Sequence, residues 1–194
     1  MKNKTLPIAT LALLLLLAGC QGVTKYLRLP LDSGASREYR VAFDKWTKSV
    51  SIHSGFTTNA VIYATYNSKE FADVLVAEQS RMYGLPVANL SQNDREGVAE
   101  FFVYIVTPSA KTNESRKPNW RIYILDNERE ITPKTVKWIH PLTTEMKELY
   151  PYTQNGFGYF YSIIFPVTEG KEPKKSQKLI FGGPLGRGEI IWKM

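Results

Sequence analysis

Val98-Ala99-Glu100-Phe101-Phe102-Val103-Tyr104-Ile105-Val106-Thr107 decides how this chain folds. Nearly every residue in it is β-branched or aromatic, and apolar side chains fall on both alternating faces. A strand that is greasy on both sides belongs in the middle of a packed sheet rather than at its edge. Pro108 closes the run, because it lacks the N–H that a ladder needs. Phe157 to Val167 repeats the pattern: Phe157, Tyr159, Tyr161, Ile163 and Phe165 lie on one side, Phe160 and Ile164 on the other. Two such runs predict the centre of a β-sheet core.

Outward from these, the remaining strands are shorter. Ser49 to Ser54 and Asn59 to Tyr66 read as a pair joined by a turn near Gly55. Asn119 to Asp126 alternates, with Trp120, Ile122 and Ile124 facing one way and Arg121 and Tyr123 the other. Val136 to His140 is a shorter strand with Val136 and Trp138 expected to point inward. Lys178 to Phe181 and Glu189 to Met194 form a closing pair, with Ile190 and Trp192 toward the core across a Gly-Pro loop. About eight short strands with turn signals between them predict a mainly β fold, an immunoglobulin-like two-sheet β-sandwich with one or two inserted α-helices. The antibody-type cysteine pair is absent, so the likeness is one of architecture and not of kinship.

Two segments have helical period. Tyr39, Ala42, Phe43 and Trp46 fall at i, i+3, i+4 and i+7, although Tyr39, Val41 and Phe43 also alternate as a strand from Glu38 to Phe43 would. The second is better marked. Asn67 and Glu70 have capping-box spacing, Tyr66 and Phe71 are placed as a hydrophobic staple, and Phe71, Val74, Leu75 and Met82 make a stripe. Gly84 suits a left-handed stop, and Pro86 bars continuation. Ser91 to Gly97 reads as a polar linker, and Leu142 to Tyr150 as one or two helical turns before Pro151.

The first nineteen residues differ in kind from the rest. Lys2 and Lys4 precede an apolar stretch from Leu6 to Ala18, which is shorter than the roughly 20 residues a spanning helix needs. It ends in Leu17-Ala18-Gly19-Cys20, which holds the only cysteine. This tetrad resembles the lipobox of bacterial lipoprotein precursors. The resemblance implies that a diacylglycerol is attached to the Cys20 thiol, that the chain is cut before Cys20, and that a further acyl chain joins the new amine. Two or three acyl chains anchor a protein stably where a single one binds only marginally. Gln21, being other than aspartate, fits the pattern of outer-membrane sorting in that family. The expected organisation is therefore a signal peptide over 1–19, a lipidated tether over 20–35 and one sandwich domain over 36–194.

From Trp46 onward the layout is also similar to a group of uncharacterised bacterial envelope lipoproteins. The likeness rests on Trp46-Thr47, on Ala64-Thr65-Tyr66 before a helix opening with Glu70-Phe71, on Trp120 and on Ile191-Trp192. It implies fold and location only, since no activity is assigned to that group.

With Cys20 acylated, the mature chain holds no thiol for a disulfide, a nucleophile or a zinc site. The chain carries a net charge of +7, and loss of Lys2 and Lys4 leaves +5, a modest excess that suits an anionic envelope surface. Nucleic acid is not an expected partner for an exported protein. Lys171, Lys174, Lys175 and Lys178 cluster, but Glu169, Glu172 and Pro173 among them mark a solvated loop.

Catalytic candidates are few. Ser51-Ile52-His53-Ser54-Gly55 sets hydroxyls beside an imidazole, yet neighbours in a strand point to opposite faces and no Gly-x-Ser-x-Gly elbow exists. His140 is the only other histidine. Glu145 and Glu148 share a helix face at i, i+3, an ordinary surface spacing. Gly182-Gly183-Pro184-Leu185-Gly186-Arg187-Gly188 lacks the Gly-Lys-Ser/Thr that opens a phosphate-binding helix and reads as a hairpin turn. Asp126-Asn127-Glu128 lacks calcium-loop spacing, and Asn113-Glu114-Ser115 matches a glycosylation acceptor that a bacterial protein would not use. No catalytic, cofactor or metal residue is expected; Cys20 as lipid attachment point is the one site residue. The function expected is that of a membrane-anchored envelope lipoprotein, a non-enzymatic binding, assembly or structural component, with an envelope protein as possible partner. The alternatives are an anchored periplasmic hydrolase acting on envelope polymer or lipid, which needs a pocket gathering His53 or His140 with a carboxylate or hydroxyl, and a lipid or small-ligand carrier, which needs an apolar cavity between the sheets.

Overall fold

The computed structural model describes residues 34–84, 98–107, 120–126, 129–154, 158–166 and 176–193. Cys20 with its lipobox, most of the tether, Pro86, the 91–97 linker, Pro108, Asn113, Asn127, Glu128 and the lysines at 171, 174 and 175 lie outside them.

Nine strands form two antiparallel sheets among the described residues. The first has the order β1-β2-β3-β7-β6, built from β1 (Thr47–Ser54), β2 (Thr57–Tyr66), β3 (Val98–Val106), β7 (Gly158–Pro166) and β6 (Thr135–Trp138). The second has the order β5-β4-β8-β9, built from β5 (Arg129–Ile131), β4 (Arg121–Asp126), β8 (Ser176–Gly183) and β9 (Gly186–Lys193). The two doubly apolar runs are the neighbours β3 and β7, with Phe101 opposite Ile163 and Val103 opposite Tyr161, inside the five-stranded sheet as their composition demands. The two-sheet sandwich expected from strand spacing is the observed architecture.

One face of the larger sheet meets the smaller sheet, and aromatic rings fill the gap. Trp192 of β9 lies 5.2 Å from Phe101 and 6.3 Å from Tyr66, and its Nε1 donates to the Trp46 carbonyl at 2.7 Å. Ile122, Phe181, Ile124, Leu179 and Ile190 complete the smaller sheet's inner face through direct cross-strand pairing. Tyr123 faces the other way, as its alternation requires, but it is buried there beneath the Arg121 guanidinium, 5.3 Å from its ring.

The opposite face of the larger sheet is covered by helices. These are α1 (Arg37–Trp46), α2 (Lys69–Tyr83) and α3 (Thr144–Leu149), the last running into a 3₁₀ turn at Pro151–Thr153. Among the described residues there are thus three helices, the third being the helical turns expected over Leu142 to Tyr150. The helical reading of Tyr39, Ala42, Phe43 and Trp46 holds over the strand alternative, because all four side chains are buried along one stripe. Tyr152 is the keystone of this layer. It stacks on Tyr63 at 5.2 Å, lies 5.9 Å from Phe43 and Tyr104, and ends a hydroxyl chain through Thr65 at 3.0 Å to Thr47 at 2.8 Å. The Tyr39 hydroxyl donates to the Leu149 carbonyl at 2.6 Å, tying α1 to the end of α3. Burial pushes both phenols well above their usual range, so they remain neutral hydrogen-bonding groups.

Two local expectations need correction. The N-cap of α2 is Ser68, whose hydroxyl accepts from the Phe71 N–H at 3.1 Å, and not Asn67. Asn67 is drawn away by β3: its N–H and its Nδ2 donate to the carbonyl and carboxylate of Glu100. The staple pair dissolves with the shift in cap, since Tyr66 stacks on Phe101 across the sandwich and Phe71 joins Tyr39 and Phe43 beneath the helices. The second correction is Val136, expected inward and found 38% exposed. Its sheet has one strand more than the partner sheet, and the surplus falls at β6 because the two sheets are fitted together at the other side, where β9 approaches β1.

Glycines make that fit possible. A Cβ on Gly186 would stand 2.6 Å from Ile52 Cγ2, and one on Gly188 3.0 Å from Val50 Cγ1. Gly186 also has φ +125°, a conformation that L side chains rarely adopt. The Gly-rich segment is the expected hairpin turn between β8 and β9, and its backbone comes close to β1.

Candidate functional site

His53 lies on β1, exposed, with Nδ1 3.2 Å from the Thr58 hydroxyl. His140 follows β6, exposed, with its ring stacked on Trp138 at 4.7 Å. Since β1 and β6 are opposite edges of a five-stranded sheet, about 19 Å apart at ordinary strand spacing, the two imidazoles share no site. Glu145 and Glu148 do not act together either. Glu145 accepts from Gln79 Nε2 at 2.9 Å and Glu148 from the Tyr83 hydroxyl at 3.2 Å, so both fasten α3 to α2. Among the described residues, no group of three or more His, Cys, Asp and Glu is placed to hold a metal ion, and no helix is long and apolar enough to cross a membrane.

Two features remain that sequence reasoning missed. The first lies where the chain enters the domain. Glu78, on α2, is only 2% exposed and accepts the Ser36 N–H at 3.0 Å. Arg81, one turn later, donates to the same carboxylate at 2.6 and 3.1 Å and also to the Gly34 carbonyl. Ser36 in turn caps α1 by accepting from the Tyr39 N–H at 3.2 Å. Hydrogen bonds from Arg81, assisted by those from Ser36, outweigh burial and hold the Glu78 carboxyl at about 2. A Glu three residues before an Arg reads in sequence as a surface helix pair; only the return of Ser36 over it makes the position buried. The result is a clasp that fixes the first described turn of chain, residues 34–36, to the C-terminal half of α2.

The second feature is the sheet edge at β6. Among the described residues Thr135 to Trp138 pair with β7 alone, and the Ile139 N–H bonds the Phe160 carbonyl at 2.9 Å. By the alternation of an antiparallel ladder, the N–H and C=O groups of Val136 and Trp138 then point away from β7 into the open. Beside them stand exposed Val136, half-buried Trp138 with His140 stacked on it, and half-buried Tyr159. Exposed Lys134 and Lys137 flank the apolar positions, the type of residue that keeps a free edge from pairing indiscriminately. Chemically the edge can offer main-chain hydrogen bonds and an aromatic ledge to an extended segment.

No protein-family model, no curated protein and no solved structure matches the chain.

Proposed function

We propose that this chain is a lipid-anchored protein of a bacterial envelope whose sandwich domain binds a partner and carries out no chemistry of its own. The observation that carries the reading is Leu17-Ala18-Gly19-Cys20, set at the end of a charged and then leucine-rich leader and containing the only cysteine. The separation of His53 from His140 and the use of Glu145 and Glu148 in helix docking speak against an imidazole- or carboxylate-based hydrolase. The aromatic packing around Trp192 speaks against a carrier that would need an apolar cavity between the sheets. The open β6 edge offers a surface for strand addition, a mode in which main-chain bonds supply affinity and alternate side chains supply selectivity.

The test is mass spectrometry of protein purified from membranes of the native or a heterologous bacterium, with and without Cys20→Ser. The expected result is a first residue Cys20 bearing acyl chains, and loss of both the cut and the acyl mass in the variant. A bare thiol at Cys20, or an intact leader on the wild-type protein, refutes the anchor.

A further inference from the structure

We infer that the end of the sandwich carrying the β1–β2 and β8–β9 turns is a second, non-covalent contact with an anionic bilayer, and that the Phe56 ring enters the boundary between headgroups and acyl chains. The inference rests on the acyl-anchor reading above and adds the orientation of the domain on the membrane. Gly55, at φ +58°, turns the chain so that Phe56 projects from the tip, fully exposed. The second turn lies beside the first. Asn59 Nδ2 donates to the Leu185 carbonyl at 3.2 Å, and Gly186 abuts Ile52. Exposed Pro184 and half-buried Leu185 therefore extend the apolar tip.

Charge selects the occupant. Neither 51–59 nor 182–188 contains an aspartate or glutamate, while Arg187 is exposed there. An aromatic tip whose two turns carry Arg187 and no acid matches an interface of anionic headgroups over hydrocarbon. A second copy of the chain fits poorly. Pairing two such tips would bring together two turns that each carry Arg187 and no acid, over a patch of a few side chains where a stable dimer buries on the order of 1,200 Å² or more. One ring favours the interface by on the order of 10- to 100-fold, too little to recruit a free protein but enough to bias a domain already held at the surface. The stretch 21–33 reaches at most about 45 Å when extended, which bounds how far an anchored Cys20 lets the domain stand from the bilayer.

The experiment uses the full lipidated protein in vesicles of phosphatidylethanolamine and phosphatidylglycerol, with an environment-sensitive fluorophore on Phe56→Cys or, as the control, on Val41→Cys. Val41 is 61% exposed on α1, away from both turns. The expected result is that both proteins float with vesicles, while the fluorophore at 56 shifts to the blue and is quenched at least two-fold more by lipid-borne nitroxides than that at 41. Flotation with a fully aqueous signal at 56 overturns the inference and leaves the anchor standing. Failure of both proteins to float shows that the anchor reading is wrong, and the inference falls with it. Loss of the difference in purely zwitterionic vesicles is the further expected sign that Arg187 meets anionic headgroups.

Discussion

Replacing Glu78 with Gln should weaken the domain in a strongly pH-dependent way. The substitution keeps the side chain's shape and one acceptor oxygen, while it removes the charge and replaces the other oxygen by an NH2 that cannot accept from Arg81 or Ser36. Folding moves the Glu78 carboxyl from about 4.5 to about 2, which at 1.36 kcal/mol per pH unit corresponds to about 3 kcal/mol. Arg81 is half-exposed and partly screened, so about 2–3 kcal/mol is the expected loss at pH 7. The sign follows from the direction. A folded-state value below the unfolded one means that the stabilisation is complete above about pH 4.5 and is lost as pH falls from there toward 2. Wild type and variant should thus differ fully at pH 7 and converge near pH 2, where the native carboxyl is itself protonated. Urea unfolding followed by tryptophan fluorescence, at pH 7, 5 and 3, measures this; with a slope of about 2 kcal/mol per molar, the pH 7 midpoint should fall by roughly 1 M. A deficit below about 0.5 kcal/mol at pH 7, or one of equal size at pH 7 and pH 3, would refute the reasoning.

Two further substitutions probe the contact between the sheets. Trp192→Phe keeps an aromatic ring but strands the buried Trp46 carbonyl, so a loss of about 1–3 kcal/mol is expected by urea unfolding at pH 7, with no dependence on pH from 5 to 8. Gly186→Ala should cost about 1–3 kcal/mol, because the new methyl would strike Ile52 and the backbone must hold a φ of +125°. A thermal midpoint unchanged within 1 °C would show that β9 can retreat from β1 without penalty.

Much of this framework is legible from residue types alone, and the failures have identifiable causes. β3 and β7 declare themselves because a central strand must be apolar on both faces, and Val98 to Thr107 leaves no other place for its side chains. The α1 stripe survives its strand-like rival because only the helical spacing collects Tyr39, Ala42, Phe43 and Trp46 on one side. The cap of α2 misleads because Asn67 and Ser68 are both good capping residues, and the choice between them is made by Glu100, thirty-three residues away. Val136 misleads because alternation tells which face a side chain takes but not whether anything lies across from it. Glu78 is invisible for the same reason: its burial is conferred by Ser36, a contact across 42 residues. Of the catalytic candidates, His53 and His140 face solvent, and Glu145 and Glu148 fasten α3 to α2, contacts that residue spacing alone does not announce.

The side-by-side fit of β1 and β9 gives the sandwich the mechanics of a bound book. Its spine is a line of glycines pressed against Ile52 and Val50, while the fore-edge, at β5 and β6, is held by strands of three and four residues. Opening fluctuations should begin at the fore-edge and die out before the spine. Amide deuteration would then sweep inward from Val136 and Ile131, reaching Ile190 and Ile62 last.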